Sequence, residues 1–296
     1  MFDRLLVPLD GSDSAERALP FAMEVAEASS GEVLLVCISE SNSEQERSCQ
    51  TYLDSLVTRV QSWRKPWRPK SRNIRCEVAT GNPAKEIIKS AAHHDIKLIV
   101  LASKGRSGEG PWPLGGVASK VVQKSVVPIM LVKTSASPAP VGLRGLIKKI
   151  LLPLDASEPG AAAVPYAAEL ARIFEASIVL FHVEPQPRPW LIAPGVEFAY
   201  LPATSSEQQG KKLLDHMDYL ERTAQSLRDR GLTVSVDAGS GAPAAEISGY
   251  AMENHVDLIA LSSHGQSGIA EFVYGGVTEK LLNSGGIPVL VVRPHK

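Results

Sequence analysis

The segment DIKLIVLASKGRSG at residues 95–108 returns later in the chain as HVDLIALSSHGQSG at residues 255–268. Both copies pass from an apolar run into a loop that contains glycine, which is typical of a strand buried on both faces of a parallel sheet. Both are followed by a second glycine cluster, LGGVASKVV at 114–122 and YGGVTEKLL at 274–282. Such self-similarity predicts two domains with one fold.

The repeat extends to the start of each half. VPLDGS at 7–12 matches LPLDAS at 152–157 with an offset of 145 residues, whereas GNPAKEI at 81–87 matches GAPAAEI at 241–247 with an offset of 160. The second half therefore carries 15 additional residues, which we expect in the Pro-rich stretch EPQPRPWLIAPG at 184–195.

The two halves are joined by TSASPAPVGLRG at 134–145, a Ser/Pro/Gly stretch that fits neither a helix nor a strand. We predict one domain at residues 1–134, a linker at 135–145 and a second domain at 146–296. A chain of 296 residues is also about twice the length of a typical domain.

Short β-branched runs alternate with helical patterns in each half, which indicates βαβ units. The sequence predicts an α/β fold of two tandem doubly wound domains, each a five-stranded parallel sheet flanked by helices. The expected strands are Leu5–Leu9, Val33–Ser39, Ile74–Val78, Leu98–Ala102, Ile129–Val132, Ile150–Leu154, Ile178–Val183, Thr233–Ala238, Leu258–Ser262 and Val289–Val292. The first helix of each half is expected to be continuous, over Ser12–Ser29 and Ser157–Phe174.

The composition narrows the class of protein. The formal net charge of −1 argues against a dedicated nucleic-acid protein. No apolar run approaches the roughly 18 residues of a membrane helix, and MFDRLLVPLDGS is not a signal peptide. Cys37, Cys49 and Cys76 have no C-x-x-C spacing, so we expect neither a disulfide framework nor a zinc site. These features favour a reducing, cytoplasmic location without a nucleic-acid or membrane partner.

The loops after strands 1 and 4 predict a binding site. Glycine lets the backbone approach a ligand, and the second glycine cluster opens a helix whose free N–H groups favour phosphate. Asp10 and Asp155 end the first strands, where ligands bind in doubly wound sheets, and a carboxylate there suits the hydroxyl groups of a ribose. The alternative is that the glycines only make turns and the aspartates only cap a helix.

This arrangement resembles the universal stress protein family in its tandem form, over nearly all of both halves. ATP-binding members carry G-x2-G-x9-G-[S/T] after strand 4, an aspartate ending strand 1 and a G-x-P-x-x-x-I turn. The resemblance implies strand order 3-2-1-4-5 and an adenine nucleotide such as ATP, with Mg²⁺ left open. The implied nucleotide-binding residues are Asp10, Ile38, Ala102, Gly105, Gly115, Gly116 and Val117, and in the second half Asp155, Val183, Ser262, Gly265, Gly275, Gly276 and Val277.

Two positions depart from the family motif. The first glycine is replaced by Ala102 and Ser262, and the final Ser/Thr by Gly116 and Gly276. A missing hydroxyl removes a hydrogen bond worth about 0.5–1.5 kcal/mol, so we expect weaker binding rather than none.

Three other features have a functional and a simpler interpretation. Lys104 and His264 share one loop position and could contact phosphate, or they could be solvated. His182 aligns with Cys37 on strand 2, and we expect a sheet residue rather than a metal ligand there. The basic stretch WRKPWRPKSR at 63–72 could bind nucleic acid, although a solvated connector suits a chain of nearly zero net charge better.

We therefore expect a nucleotide-binding regulatory or stress-response protein without rapid catalysis. An ATP-using enzyme is disfavoured because DGSDSAE at 10–16 is not an SGGxDS loop and the chain has no HIGH or Walker A motif. A phospho-receiver is disfavoured because Val78–Ala79 provides no acceptor aspartate. A scaffold with vestigial pockets stays open as an alternative.

The fifth strands predict how the halves assemble. Ile129–Val132 and Val289–Val292 are apolar and would be exposed sheet edges in separate domains, which invites pairing. The stretch at 134–145 reaches roughly 40 Å when extended. We expect an intrachain pseudo-twofold pair, with further homo-oligomerisation left open.

Overall fold

A computed structural model of the chain describes residues 1–40, 43–63, 74–106, 114–134, 145–185, 206–265 and 275–294. The predicted linker at 135–144, the basic stretch from 64 onwards and the Pro-rich stretch from 186 onwards lie outside the described residues.

The elements of the two halves follow the same order. The first half contains β1 (Arg4–Leu9), α1 (Asp13–Glu16), α2 (Leu19–Ser29), β2 (Glu32–Ser39), α3 (Ser43–Gln61), β3 (Ile74–Thr80), α4 (Pro83–His93), β4 (Leu98–Ala102), α5 (Gly116–Lys124) and β5 (Ile129–Val132). The second half contains β6 (Lys149–Pro153), a 3-10 helix (Gly160–Ala163), α6 (Val164–Phe174), β7 (Ser177–Pro185), α7 (Ser206–Arg228), β8 (Val234–Gly241), α8 (Pro243–Glu253), β9 (Leu258–Ser262), α9 (Gly276–Asn283) and β10 (Val289–Val292).

The strands form one sheet in the order β3-β2-β1-β4-β5-β10-β9-β6-β7-β8. Each half contributes five parallel strands in the order 3-2-1-4-5, so the predicted fold class is confirmed. The halves meet where β5 and β10 pair antiparallel, with Met130 opposite Leu290. The two apolar edges that were expected to need a partner thus cover each other within the chain.

The first helix of each half is interrupted, so the prediction of continuous helices over Ser12–Ser29 and Ser157–Phe174 was wrong. Pro20 and Pro165 occupy the first turn of α2 and α6. Proline lacks the N–H that would continue the hydrogen bonds of the preceding turn, whereas it is well tolerated where a helix begins. A new helix therefore starts at each proline.

The hydrophobic core lies on both faces of the sheet and runs across the junction. Met130 and Val132 contribute to one cluster, and Ile129 and Leu131 contribute to the other. This alternation follows from the period of two along a strand. Both clusters contain residues from both halves, so the two halves share their core.

Two cations reinforce the junction reciprocally. Lys133, directly after β5, donates from Nζ to the carbonyls of Leu281 and Leu282 in the last turn of α9. Arg293, directly after β10, donates to the carbonyl of Gln123 in the last turn of α5. The last carbonyls of a helix have no partner within it and favour positive charge. Each half therefore completes a helix end of the other.

The cysteines depart from expectation. Cys37 near the end of β2 forms a disulfide with Cys49 in α3, so the expectation of no disulfide was wrong. The chain reverses between these elements and brings the two Cα atoms to 5.8 Å, within the usual range for a disulfide. Cysteine usage therefore no longer supports a reducing compartment. Among the described residues, no helix is long and apolar enough to cross a bilayer.

Replacing Met130 should destabilise the junction. Met130 is fully buried, and Met130→Ala is expected to lower the free energy of unfolding by roughly 2–5 kcal/mol, since it leaves a cavity. Met252→Ala, at a side chain that is 67% exposed, is the matched control and should change it by no more than about 0.5 kcal/mol. Urea unfolding followed by circular dichroism measures both variants. Equal effects would contradict a stabilising junction.

Lys133 should make the stability depend on pH. Burial lowers the pKa of Lys133 from 10.5 to about 8, so between these values the unfolded chain holds a proton that the folded chain has released. The free energy of unfolding should therefore rise with pH across this window and fall again as pH drops towards 8. Lys133→Met should remove a rise on the order of 3 kcal/mol. Urea unfolding at several pH values measures it, and Lys124→Met, at an exposed position, should keep the wild-type slope.

Candidate functional site

The first half contains a cleft beyond the carboxyl ends of β1 and β4, where the strand order reverses. Its volume is about 620 Å³, in the range of small-molecule sites. The residues predicted for this half all line it: Asp10, Ile38, Ala102, Gly105, Gly115, Gly116 and Val117. The fold therefore brings these residues to one surface.

Asp10 organises the loops at the floor of this cleft. Its Oδ1 accepts hydrogen bonds from the backbone N–H of Ser12 at 3.0 Å and from the Ser12 hydroxyl at 2.6 Å. Its Oδ2 accepts the backbone N–H of Arg106 at 2.6 Å. A carboxylate offers about four acceptor positions, so these three bonds leave room for one more donor. Asp10 thus acts as a turn residue and retains capacity for a ligand hydroxyl.

Glycine is needed at positions 105 and 265 because the carboxylates of Asp10 and Asp155 lie very close to the backbone there. A Cβ atom at Gly105 would lie 2.1 Å from Oδ2 of Asp10, and one at Gly265 would lie 2.2 Å from Oδ2 of Asp155. The loop after strand 4 therefore sits directly on the strand 1 carboxylate in both halves. Any other residue at these positions would require the aspartate side chain or the loop to shift.

The second glycine cluster starts a helix, as predicted. In the first half the N–H of Gly115 donates to the carbonyl of Ser103 at 2.8 Å, which ties the start of α5 to the end of β4. Among the described residues, no side chain caps α5 at Gly115. The N–H groups of its first turn are therefore available to a ligand in the cleft. Val117 lines the cleft beside them and is 39% exposed.

The second half repeats this geometry. Oδ1 of Asp155 accepts from the N–H and hydroxyl of Ser157 at 3.1 and 2.6 Å. The N–H of Gly275 donates to the carbonyl of Ser263 at 3.0 Å. The next helix, α9, begins at Gly276, where no side chain from the described part of the chain caps it. Val277 at this helix start is 36% exposed. The same backbone framework thus stands in both halves.

His264 holds an unsatisfied polar atom. Its Nδ1 lies 2.9 Å from the hydroxyl of Ser263, and its backbone N–H donates to the hydroxyl of Ser262 at 3.4 Å. Its Nε2 is buried and has no hydrogen-bond partner in the part of the chain that the structure describes. Burying a polar atom without a partner costs roughly 1–3 kcal/mol. A ligand group that forms a hydrogen bond with Nε2 would recover that loss.

The sequence pattern missed Arg106. Its guanidinium donates to the backbone carbonyl of Asp10, and with Lys104 it gives the first cleft two cations. Its place directly after Gly105 in the glycine loop could have singled it out. Its counterpart, Gln266, lies outside the described residues.

The ends of the second strands differ between the halves. Ile38 lines the first cleft beside the Cys37–Cys49 disulfide. Val183 stands at the corresponding place in β7, between His182 and Glu184. His182 contacts His216 of α7, a residue that the sequence pattern did not single out. Burial and the neighbouring imidazole of His182 lower the pKa of His216.

Comparison with known proteins gives one consistent result. The sequence model of the Universal stress protein family matches residues 1–133 and again residues 146–293. Universal stress protein MJ0531 of Methanocaldococcus jannaschii is 28% identical over 153 residues, which cover 51% of this chain and 85% of that protein. The matched segment thus corresponds to about one half of this chain.

Solved structures agree over the whole chain. A putative universal stress protein from Pseudomonas aeruginosa superposes with a TM-score of 0.71 over 99% of this chain and 94% of that one, at 13% identity. A universal stress protein from Archaeoglobus fulgidus gives a TM-score of 0.66 over 98% of this chain and 96% of that one, at 18% identity. At these identities the likeness shows the fold alone.

The contact between Gly105 and Asp10 can be tested by a double-mutant cycle. Gly105→Ala should lower the free energy of unfolding by roughly 1–3 kcal/mol, because the new Cβ collides with the carboxylate. Gly116→Ala is the control, since a Cβ there meets nothing within 4 Å. If the contact is the cause, Asp10→Ala should remove most of the cost of Gly105→Ala. Additive effects in urea unfolding would contradict the contact.

Proposed function

The chain belongs to the universal stress protein family, and we propose that within this family it is an adenine-nucleotide-binding regulatory protein without rapid catalysis. The main support for the proposal is the set of residues that line the cleft in the first half. There a carboxylate at the end of β1, a glycine loop after β4 and an uncapped helix start line one cavity of about 620 Å³.

The phosphate end of a nucleotide fits the loop and helix start. The first turn of α5 offers backbone N–H groups, and Lys104 and Arg106 line the same cleft. Backbone N–H groups at a helix start, joined by cations, form a site for phosphate. The missing hydroxyl at Gly116 is thereby compensated in part, and we expect affinity in the micromolar range or weaker.

Other residues of the same cleft suit the ribose and the base. The fourth acceptor position of Asp10 suits a ribose hydroxyl. Ile38, Ile87 and Leu101 give the cleft apolar surface for a base. Apolar walls with a few placed polar groups are the usual composition of a small-molecule site.

We further propose that turnover is slow or absent, and the surroundings of Asp10 support this. Among the residues that the structure describes, the acidic ones that line the first cleft are Asp10 and Glu40. Asp10 already accepts three hydrogen bonds from its own loops. A carboxylate held in this way is poorly placed to take a proton from an attacking water. We expect hydrolysis slower than on the order of 1 per second.

The same hydrogen bonds favour one alternative. Because Ser12 and the backbone of Arg106 already engage Asp10, the carboxylate could serve the fold alone, and the clefts would then be vestigial parts of a scaffold for a protein partner. Titration with nucleotide separates the two proposals. A chain that binds none of ATP, ADP, AMP and cAMP supports the scaffold.

Calorimetric titration of the full chain with ATP should assign the occupied cleft. Asp10→Ala should weaken binding to the first cleft by about 10-fold or more, since a hydrogen bond to a charged group contributes roughly 1.5–3 kcal/mol. Asp155→Ala should do the same at the corresponding loops of the second half. His264→Ala should weaken binding in the second half only, because it removes an Nε2 atom that has no partner among the described residues.

Two controls accompany this titration. His255→Ala changes a histidine outside the predicted site residues and should bind like the wild type. Thermal unfolding of each variant shows whether the fold survives. If ATP binds and neither aspartate variant weakens it, the aspartates are turn residues only and the proposed ribose contact is wrong.

A further inference from the structure

The second strand and the following helix carry a matched pair of residues in each half. Cys37 and His182 share the offset of 145 residues that relates Asp10 to Asp155. In the helix, the buried pair Leu53 and Leu220 are 167 residues apart, as are Val60 and Leu227. The same offset relates Cys49 of α3 to His216 of α7.

The fold brings these two positions into contact in both halves. In the first half Cys37 and Cys49 are joined as a disulfide. In the second half Nε2 of His182 and Nδ1 of His216 lie 2.9 Å apart. The same place in the fold thus holds two bonded cysteines in one half and two imidazoles in the other.

A carboxylate completes the group in the second half. Oε2 of Glu184 lies 3.4 Å from Nε2 of His182 and 3.9 Å from Nδ1 of His216. A tetrahedral zinc ion with bonds of about 2.0–2.2 Å holds its ligand atoms about 3.3–3.6 Å apart. The three observed separations bracket that value, so only small side-chain movements would place an ion at bonding distance from all three atoms.

The imidazole of His182 is held in the tautomer that a metal needs. Its Nδ1 lies 3.0 Å from the backbone carbonyl of Leu154. A carbonyl can only accept, so Nδ1 carries the proton and Nε2 presents its lone pair to the other two groups. Metal-ligating histidines usually make this second hydrogen bond, which fixes the ring.

Charge and burial also favour a cation. His182 is 4% exposed, and Glu184 and His216 are 28% and 23% exposed. Asp155 and Asp215 add negative charge near His216. The donor set has a buried side and a side open to solvent, as in zinc sites that keep a fourth position for water or a ligand.

We propose that His182, Glu184 and His216 bind a divalent transition-metal ion, with Zn²⁺ as the preferred occupant. Two imidazoles with a carboxylate suit zinc and its neighbours in the first transition row, whereas Mg²⁺ requires oxygen ligands. This proposal departs from the expectation that His182 is a sheet residue rather than a metal ligand. The site does not depend on nucleotide binding, although Val183 places it beside the predicted base position.

Zinc titration of the full chain tests the site. The protein is prepared without an affinity tag, freed of metal with a chelator and titrated with Zn²⁺ in a calorimeter. We expect one ion per chain at this site. His216→Ala should weaken binding at least about 100-fold and Glu184→Gln should weaken it clearly, since even changes outside the ligand shell cost 10- to 100-fold. Mg²⁺ should give no comparable binding.

Matched variants exclude other ligands. His255→Ala should bind Zn²⁺ like the wild type, and so should a Cys37→Ser, Cys49→Ser, Cys76→Ser variant if thiols take no part. Absorption of bound Co²⁺ in the visible range reports the tetrahedral geometry and should be lost in His216→Ala. Because Glu184 and His216 are partly exposed, these variants test the site even if a change at buried His182 prevents folding.

A chain that binds no stoichiometric Zn²⁺, or variants at His216 and Glu184 that bind as tightly as the wild type, would overturn the proposal.

Discussion

The antiparallel pairing of β5 with β10 is the contact on which the rest of the structure depends. In each half the fifth strand ends the sheet, and all four of its side chains are buried. A strand of this kind left exposed would pair with whatever chain met it. Pairing within the molecule satisfies its backbone groups and merges the two cores. It also brings Lys133 and Arg293 to the helix ends of the opposite half.

The fold was predictable because the internal repeat indicates most elements twice, once in the sequence of each half. Strands β4, β5, β9 and β10 begin and end where the sequence places them, since strands buried on both faces carry uninterrupted apolar runs. The error lay at the first helices. There Pro20 and Pro165 restart the helix, and this local effect of a missing N–H does not disturb the apolar pattern on which the prediction depended.

The part of the candidate site that was predictable from the sequence is the part set by local backbone geometry. Glycines and strand-end aspartates follow from local geometry, and the structure places them together. Side-chain partners from distant elements do not follow in this way. The Cys37–Cys49 disulfide and the His182–His216 contact join a strand to a helix whose offset between the halves is 167 residues, not 145. No single offset between the two halves relates both Cys37 to His182 and Cys49 to His216.

The antiparallel junction also decides how the molecule presents itself to others. Strands within each half are parallel, so the carboxyl ends of one half point away from those of the other. The loops that follow the strands, with Asp10 in one half and Asp155 in the other, consequently lie at opposite edges of one continuous sheet. A molecule bound at one set of loops would therefore be separated by the length of the strands from a molecule bound at the other. Any coupling between two such molecules would have to pass through the paired strands at the centre.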